Sequence, residues 1–93
     1  MSALRSALPS TLRELRLFGC QTSPASAGLR AFIEASYPAI KKANPTLPIL
    51  IREAQGVPAR AFARFKHGQE KSVALQGLGS AQEVEKRIEE LLK

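Results

Sequence analysis

Ninety-three residues, 44% hydrophobic and 24% charged, describe one small globular domain and exclude a multi-domain or largely disordered chain. Fourteen basic residues stand against eight acidic ones, all glutamates, and the net charge of +6 favours an acidic partner: a protein face, RNA or an anionic membrane. A single cysteine excludes an internal disulfide framework and suits a reducing compartment, and no apolar run approaches the ~18 residues that span a bilayer.

Residues 1–10 carry Arg5, Ser2, Ser6 and Ser10, no acid, and Leu4 and Leu8 on one helical face. They read either as a mitochondrial presequence in miniature or as a flexible tail ahead of a domain over 11–93. From 11 to 18 the residues alternate, Leu15 and Leu17 against Glu14 and Arg16, the period of a half-covered first strand. Ser23 is then an N-cap with Pro24 at the first helical position, and Leu29, Phe32, Ile33 and Ile40 form one helical face. Pro38 crowds the carbonyl of Glu34, so the pattern predicts a helix to about Tyr37 with a bent continuation as far as Asn44-Pro45.

The second strand is expected over 47–53, dense in branched residues. Six residues, 54–59, are too few for a helical crossover, so the chain should arch into an antiparallel third strand over 60–65. Residues 66–70 read as a hairpin turn with Gly68 at positive φ, followed by a fourth strand over 72–75. Ser80 and Glu83 form a capping box for a terminal helix that buries Val84, Ile88, Leu91 and Leu92. The fold class is therefore α/β: a four-stranded mixed sheet in the order strand-helix-strand, strand-strand-helix.

Parity divides the strands. Leu15, Leu17, Ile49, Ile51, Ala61, Ala63 and Phe65 can lie beneath the two helices. Glu14, Arg16, Arg52, Arg60 and Arg64, mixed with Phe18, Leu50 and Phe62, fall on the other side, where no third helix exists to cover them. Arginine and aromatic groups together mark protein interfaces, so Arg16, Arg52, Arg60, Phe62 and Arg64 are the candidate docking residues. A solvated sheet face and an RNA-binding face, with Phe62 stacking on a base, are the alternatives.

Cys20 follows the first strand in the order Cys20-Gln21-Thr22-Ser23, the spacing of a thioredoxin-type dithiol with its second thiol replaced by serine. A dithiol cycle needs a second thiolate to attack the mixed disulfide, and this chain has none. Glutathione could serve as the second thiol of a monothiol glutaredoxin-like protein, but Cys20 is read in preference as a structural remnant. A thiol titrating near ~8.5 or higher would dismiss the redox alternative. His67 is the only histidine and there is no aspartate, so no metal site is expected.

The Val57-Pro58 step, the third strand, the Lys66 to Glu70 turn and the terminal helix resemble the second half of thioredoxin, in which a cis-proline precedes the equivalent strand. With Cys20 this implies a thioredoxin-like fold in which Cys20, Ser23 and Pro58 mark a vestigial redox position. The segments Cys20-Gln21-x-Ser23-Pro24, Lys41 through Glu53, and Gly68-Gln69-Glu70 resemble the alpha subcomplex subunit 2 family of mitochondrial NADH:ubiquinone oxidoreductase, respiratory complex I, over about residues 12–92. The same domain type occurs in certain mitochondrial ribosomal proteins. Membership would imply a non-catalytic accessory subunit on the matrix side of the inner membrane, attached near the large iron–sulfur subunit of the peripheral arm. It would imply no cofactor, no small-molecule substrate and only indirect membrane contact, with docking preferred over nucleic-acid binding. The animal relatives carry a second cysteine just after the second strand, where this chain has Ala54, and Pro38 is a further departure from their pattern.

Overall fold

A computed structural model describes Leu8 and residues 11–92; the expectations for the rest of 1–10 lie outside the described residues. Four strands and two helices follow one another as β1 (Leu12–Gly19), α1 (Ala27–Ala43), β2 (Ile49–Glu53), β3 (Arg60–Phe65), β4 (Glu70–Ala74) and α2 (Ala81–Leu91). The sheet order is β2-β1-β3-β4. β1 pairs parallel with β2 and antiparallel with β3, and β3 pairs antiparallel with β4, so the sheet is mixed, as expected. The short link 54–59 does turn the chain antiparallel, yet it carries β3 past β2 to the far side of β1.

Apolar residues of one strand parity build the core. Leu15, Leu17, Ile49, Ala61 and Ala63 meet Leu29, Phe32 and Ile40 of α1 and Val84, Ile88 and Leu91 of α2 in a single buried cluster. Both helices therefore cover the same side of the sheet. A register shift between Leu12 and Glu14 inserts one extra residue against β3, so that Leu12 turns inward although it shares the parity of Glu14.

Several boundaries differ from expectation. Ser23 does cap, accepting from the Ala25 N–H, but it opens a 3-10 turn (Pro24–Ser26), and the α-helix begins only at Ala27. That helix is not split: it runs unbroken through Pro38 to Ala43. The reason is placement, since Pro38 and Glu34 are both exposed and the orphaned Glu34 carbonyl lies on a face open to water. β2 starts at Ile49 rather than Leu47, because Leu47 N–H is committed to a turn with the Asn44 carbonyl and the Leu47 carbonyl accepts from Lys41 Nζ at 2.6 Å. β4 begins at Glu70 and ends at Ala74, two residues earlier at its start than expected, because the preceding turn is tighter: both His67 (φ 66) and Gly68 (φ 77) adopt left-handed backbone. At α2, Ser80 Oγ accepts from Glu83 N–H at 3.3 Å, while the Glu83 carboxylate accepts from the Ser80 hydroxyl at 3.2 Å.

Candidate functional site

The side of the sheet opposite the helices is set by alternation and register together. Three rows cross it. Leu50, Arg16, Phe62 and Ser72 are aligned on β2, β1, β3 and β4; Arg52, Phe18, Arg60 and Ala74 form the next row towards Cys20; and Glu14, Arg64 and Glu70 form the row at the opposite end. All five candidate docking residues, Arg16, Arg52, Arg60, Phe62 and Arg64, thus share one face. Leu50, 44% exposed, is the most open large apolar residue among those described.

Aromatic and guanidinium groups pack against each other there. The rings of Phe18 and Phe62 meet edge to face with centroids 5.3 Å apart. The Arg16 and Arg60 guanidiniums stand 5.5 Å and 6.0 Å from the Phe62 centroid. Arg16 also bridges two glutamates, with Nε 3.0 Å from Glu14 and Nη2 2.8 Å from Glu70, and Arg64 reaches Glu14 at 3.2 Å. These pairs are part-exposed, so they order the surface more than they stabilise the fold.

Cys20 sits just past the end of β1 and is buried. The Gly56 N–H points at Sγ from 3.4 Å and the Thr22 hydroxyl lies 3.6 Å away. The backbone N–H of Thr22, then those hydrogen bonds and the Ser23 N–H, hold the thiol down at about 6, with burial working weakly in the opposite direction. Its acidity therefore does not meet the criterion that would dismiss thiol chemistry. Ser23 belongs to the same turn, whereas Pro58 lies exposed on the 54–59 link that brings Gly56 to the sulfur. The Val57-Pro58 bond is trans, unlike that of thioredoxin.

Periodicity gave no sign of the groups that fix this turn. Arg30 donates from Nη1 to the carbonyls of Cys20 at 2.8 Å and Ser23 at 2.9 Å, and Ser26 Oγ, buried, accepts from the Cys20 N–H at 3.1 Å. Gly19 has no side chain, and a Cβ there would press on Leu29 Cδ2 at 2.7 Å. No group of histidine, cysteine and glutamate residues among those described could hold a metal ion.

Residues 29–80, from the first turn of α1 to the cap of α2, match the family described as Mitochondrial ribosomal protein L51 / S25 / CI-B8 domain. Similarity to individual proteins extends further. The chain is 46% identical to the NADH-ubiquinone oxidoreductase 10.5 kDa subunit of Neurospora crassa over 96% of its own length and 94% of that protein. It is 45% identical to NADH dehydrogenase [ubiquinone] 1 alpha subcomplex subunit 2 of Arabidopsis thaliana, over 98% of its length and 93% of the relative. For the protein of that name from Mus musculus the figures are 49%, 87% and 81%. The chain belongs to this alpha subcomplex subunit 2 family, within the L51 / S25 / CI-B8 group. The family match includes β2, β3 and the link between them, hence Arg52, Pro58, Arg60, Phe62 and Arg64, while Arg16, Cys20 and Ser23 fall in the stretch matched only by the individual relatives.

Proposed function

We propose that this chain is a non-catalytic accessory subunit of mitochondrial complex I that supports assembly or stability of the matrix arm. It is held by neighbouring subunits, the large iron–sulfur subunit foremost, through the open sheet face carrying Arg16, Arg52, Arg60, Phe62 and Arg64. The observation that carries this reading is the bare face itself: exposed Leu50 beside two phenylalanines and four arginines, on a chain whose relatives are named as NADH dehydrogenase subunits. No helix among the described residues is long and apolar enough to cross a membrane, which suits a peripheral position on the matrix side of the inner membrane.

Residues 11–93 act as one thioredoxin-like unit, a reading supported by the parallel β1-α1-β2 half, the antiparallel β3-β4-α2 half and the position of Cys20. Cys20 serves structure in this reading. Its sulfur ties the 54–59 link to the end of β1 through Gly56, and a lone thiol cannot complete a dithiol cycle.

Mitochondria lacking the chain should show reduced assembled complex I on native electrophoresis, restored by the wild-type chain and by Cys20→Ser. A Leu50→Gln/Phe62→Gln chain, which removes the apolar part of the face without altering charge, should restore at least about tenfold less. Normal complex I without the chain, or co-sedimentation of the chain with ribosomes instead of NADH dehydrogenase activity, would overturn the proposal.

A further inference from the structure

We infer that the end of the open face nearest Cys20 receives an acidic protein segment, with Arg52 and Arg60 each taking a carboxylate on either side of Phe18. This rests on the docking reading above and gives the partner a chemistry. The four arginines of the face are not equivalent. Arg16 is matched by Glu14 and Glu70, and Arg64 by Glu14, so the row farthest from Cys20 and the Arg16 of the next row neutralise each other. Across the sheet, the Arg52–Phe18–Arg60 row contains no carboxylate. Arg60 donates to the neutral Ser72 hydroxyl at 3.1 Å, and Arg52 makes no ion pair or hydrogen bond among the described residues. Both are exposed, so their fixed charge is left for a partner to complete.

Geometry narrows that partner. Arg52 and Arg60 flank the central strand, two strand spacings apart, which places their backbones about 10 Å from each other. A guanidinium takes a carboxylate through two parallel N–H donors, more selectively than a point charge does. Phe18 between them and Leu50 one row away offer an apolar floor. The fitting ligand is therefore a stretch of Asp or Glu residues around an apolar side chain, long enough to span two strand spacings.

RNA fits less well. The Phe62 ring already has Arg16, Arg60 and the Phe18 ring packed around it, whereas base stacking needs a free ring face.

The test uses the full chain returned to mitochondria that lack it. In an Arg52→Lys/Arg60→Lys chain, carbodiimide joins the new amines to carboxylates in direct contact, and mass spectrometry should find position 52 or 60 coupled to Asp or Glu of a neighbouring subunit. An Arg52→Glu/Arg60→Glu chain should lose occupancy in the assembled complex by at least about tenfold, and Lys42→Glu, at an exposed position of α1 away from this face, by less than about twofold. Thermal melting of the purified variants checks that each is folded. Full occupancy of Arg52→Glu/Arg60→Glu alongside loss with Leu50→Gln/Phe62→Gln would overturn the acidic-segment inference while leaving the docking face standing. Full occupancy of both variants would overturn both readings, and ultraviolet coupling of this row to RNA would replace the protein ligand with a nucleic acid.

Discussion

A buried sulfur normally titrates high, because an apolar setting disfavours the thiolate. Cys20 does the reverse, since N–H groups from Thr22, Gly56 and Ser23 converge on it and hold it at about 6. The consequence for stability has a definite sign. Binding the thiolate better in the folded state than in the unfolded chain adds stability that is complete above the ordinary thiol value of about 8.5 and is lost as pH falls through the folded value. The melting-temperature gap between wild type and Cys20→Ala should therefore be widest above about pH 8.5 and close towards about pH 6. A gap that stayed constant, or widened on acidification, would show that the hydrogen-bonded thiolate contributes nothing. The cysteine's place after the first strand was legible from alternation and from Ser23-Pro24. Its acidity was not, because Gly56 lies 36 residues away in sequence and Arg30, which pins the turn, looks like any polar residue of a helix.

Elements with strong local signals were read closely. β3 spans Arg60–Phe65 as anticipated, and the buried residues of α2 are those that its spacing marked. α1 continues past Pro38 where a break near Tyr37 was expected, because Pro38 and Glu34 are both exposed and water can serve the carbonyl that the proline leaves without a donor. Replacing Pro38 with alanine restores the missing donor and removes the ring from the turn, so Pro38→Ala should raise stability, by up to about 3 kcal/mol in chemical denaturation. Unchanged or lower stability would mean that the helix gains something from the proline that exposure does not reveal. Alternation also sorted the two sides of the sheet. It could not tell which arginine would find a glutamate, since that depends on strand order and register: Arg16 and Glu70 are 54 residues apart and lie on strands separated by β3.

Across the whole molecule, the two halves of the chain are joined by backbone as well as by the shared core. The loop before α2 lies on the start of α1, with Gly28 N–H donating to the Leu78 carbonyl at 3.1 Å and Gly77 N–H to the Ala25 carbonyl at 2.8 Å. A Cβ at position 28 would collide with the Leu78 carbonyl, which is main chain and cannot swing aside. Gly28→Ala should cost about 1–3 kcal/mol, read as a lower denaturation midpoint, and the loss should exceed that of Gly79→Ala, where a Cβ meets nothing. Equal effects at the two positions would show that the halves are not coupled at this point. Nothing in the sequence distinguished these glycines, because the approach that needs one of them is made by residues 50 positions further along.

The additional residue that β1 inserts against β3 works as a phase break. It allows Leu12 to enter the interior without dictating which way Glu14, Arg16 and Phe18 face. Loss of one residue before Glu14 would leave the outward arginines where they are. The same loss just after it would rotate the remainder of the strand by half a period, driving charge into the hydrocarbon interior and leucines into water.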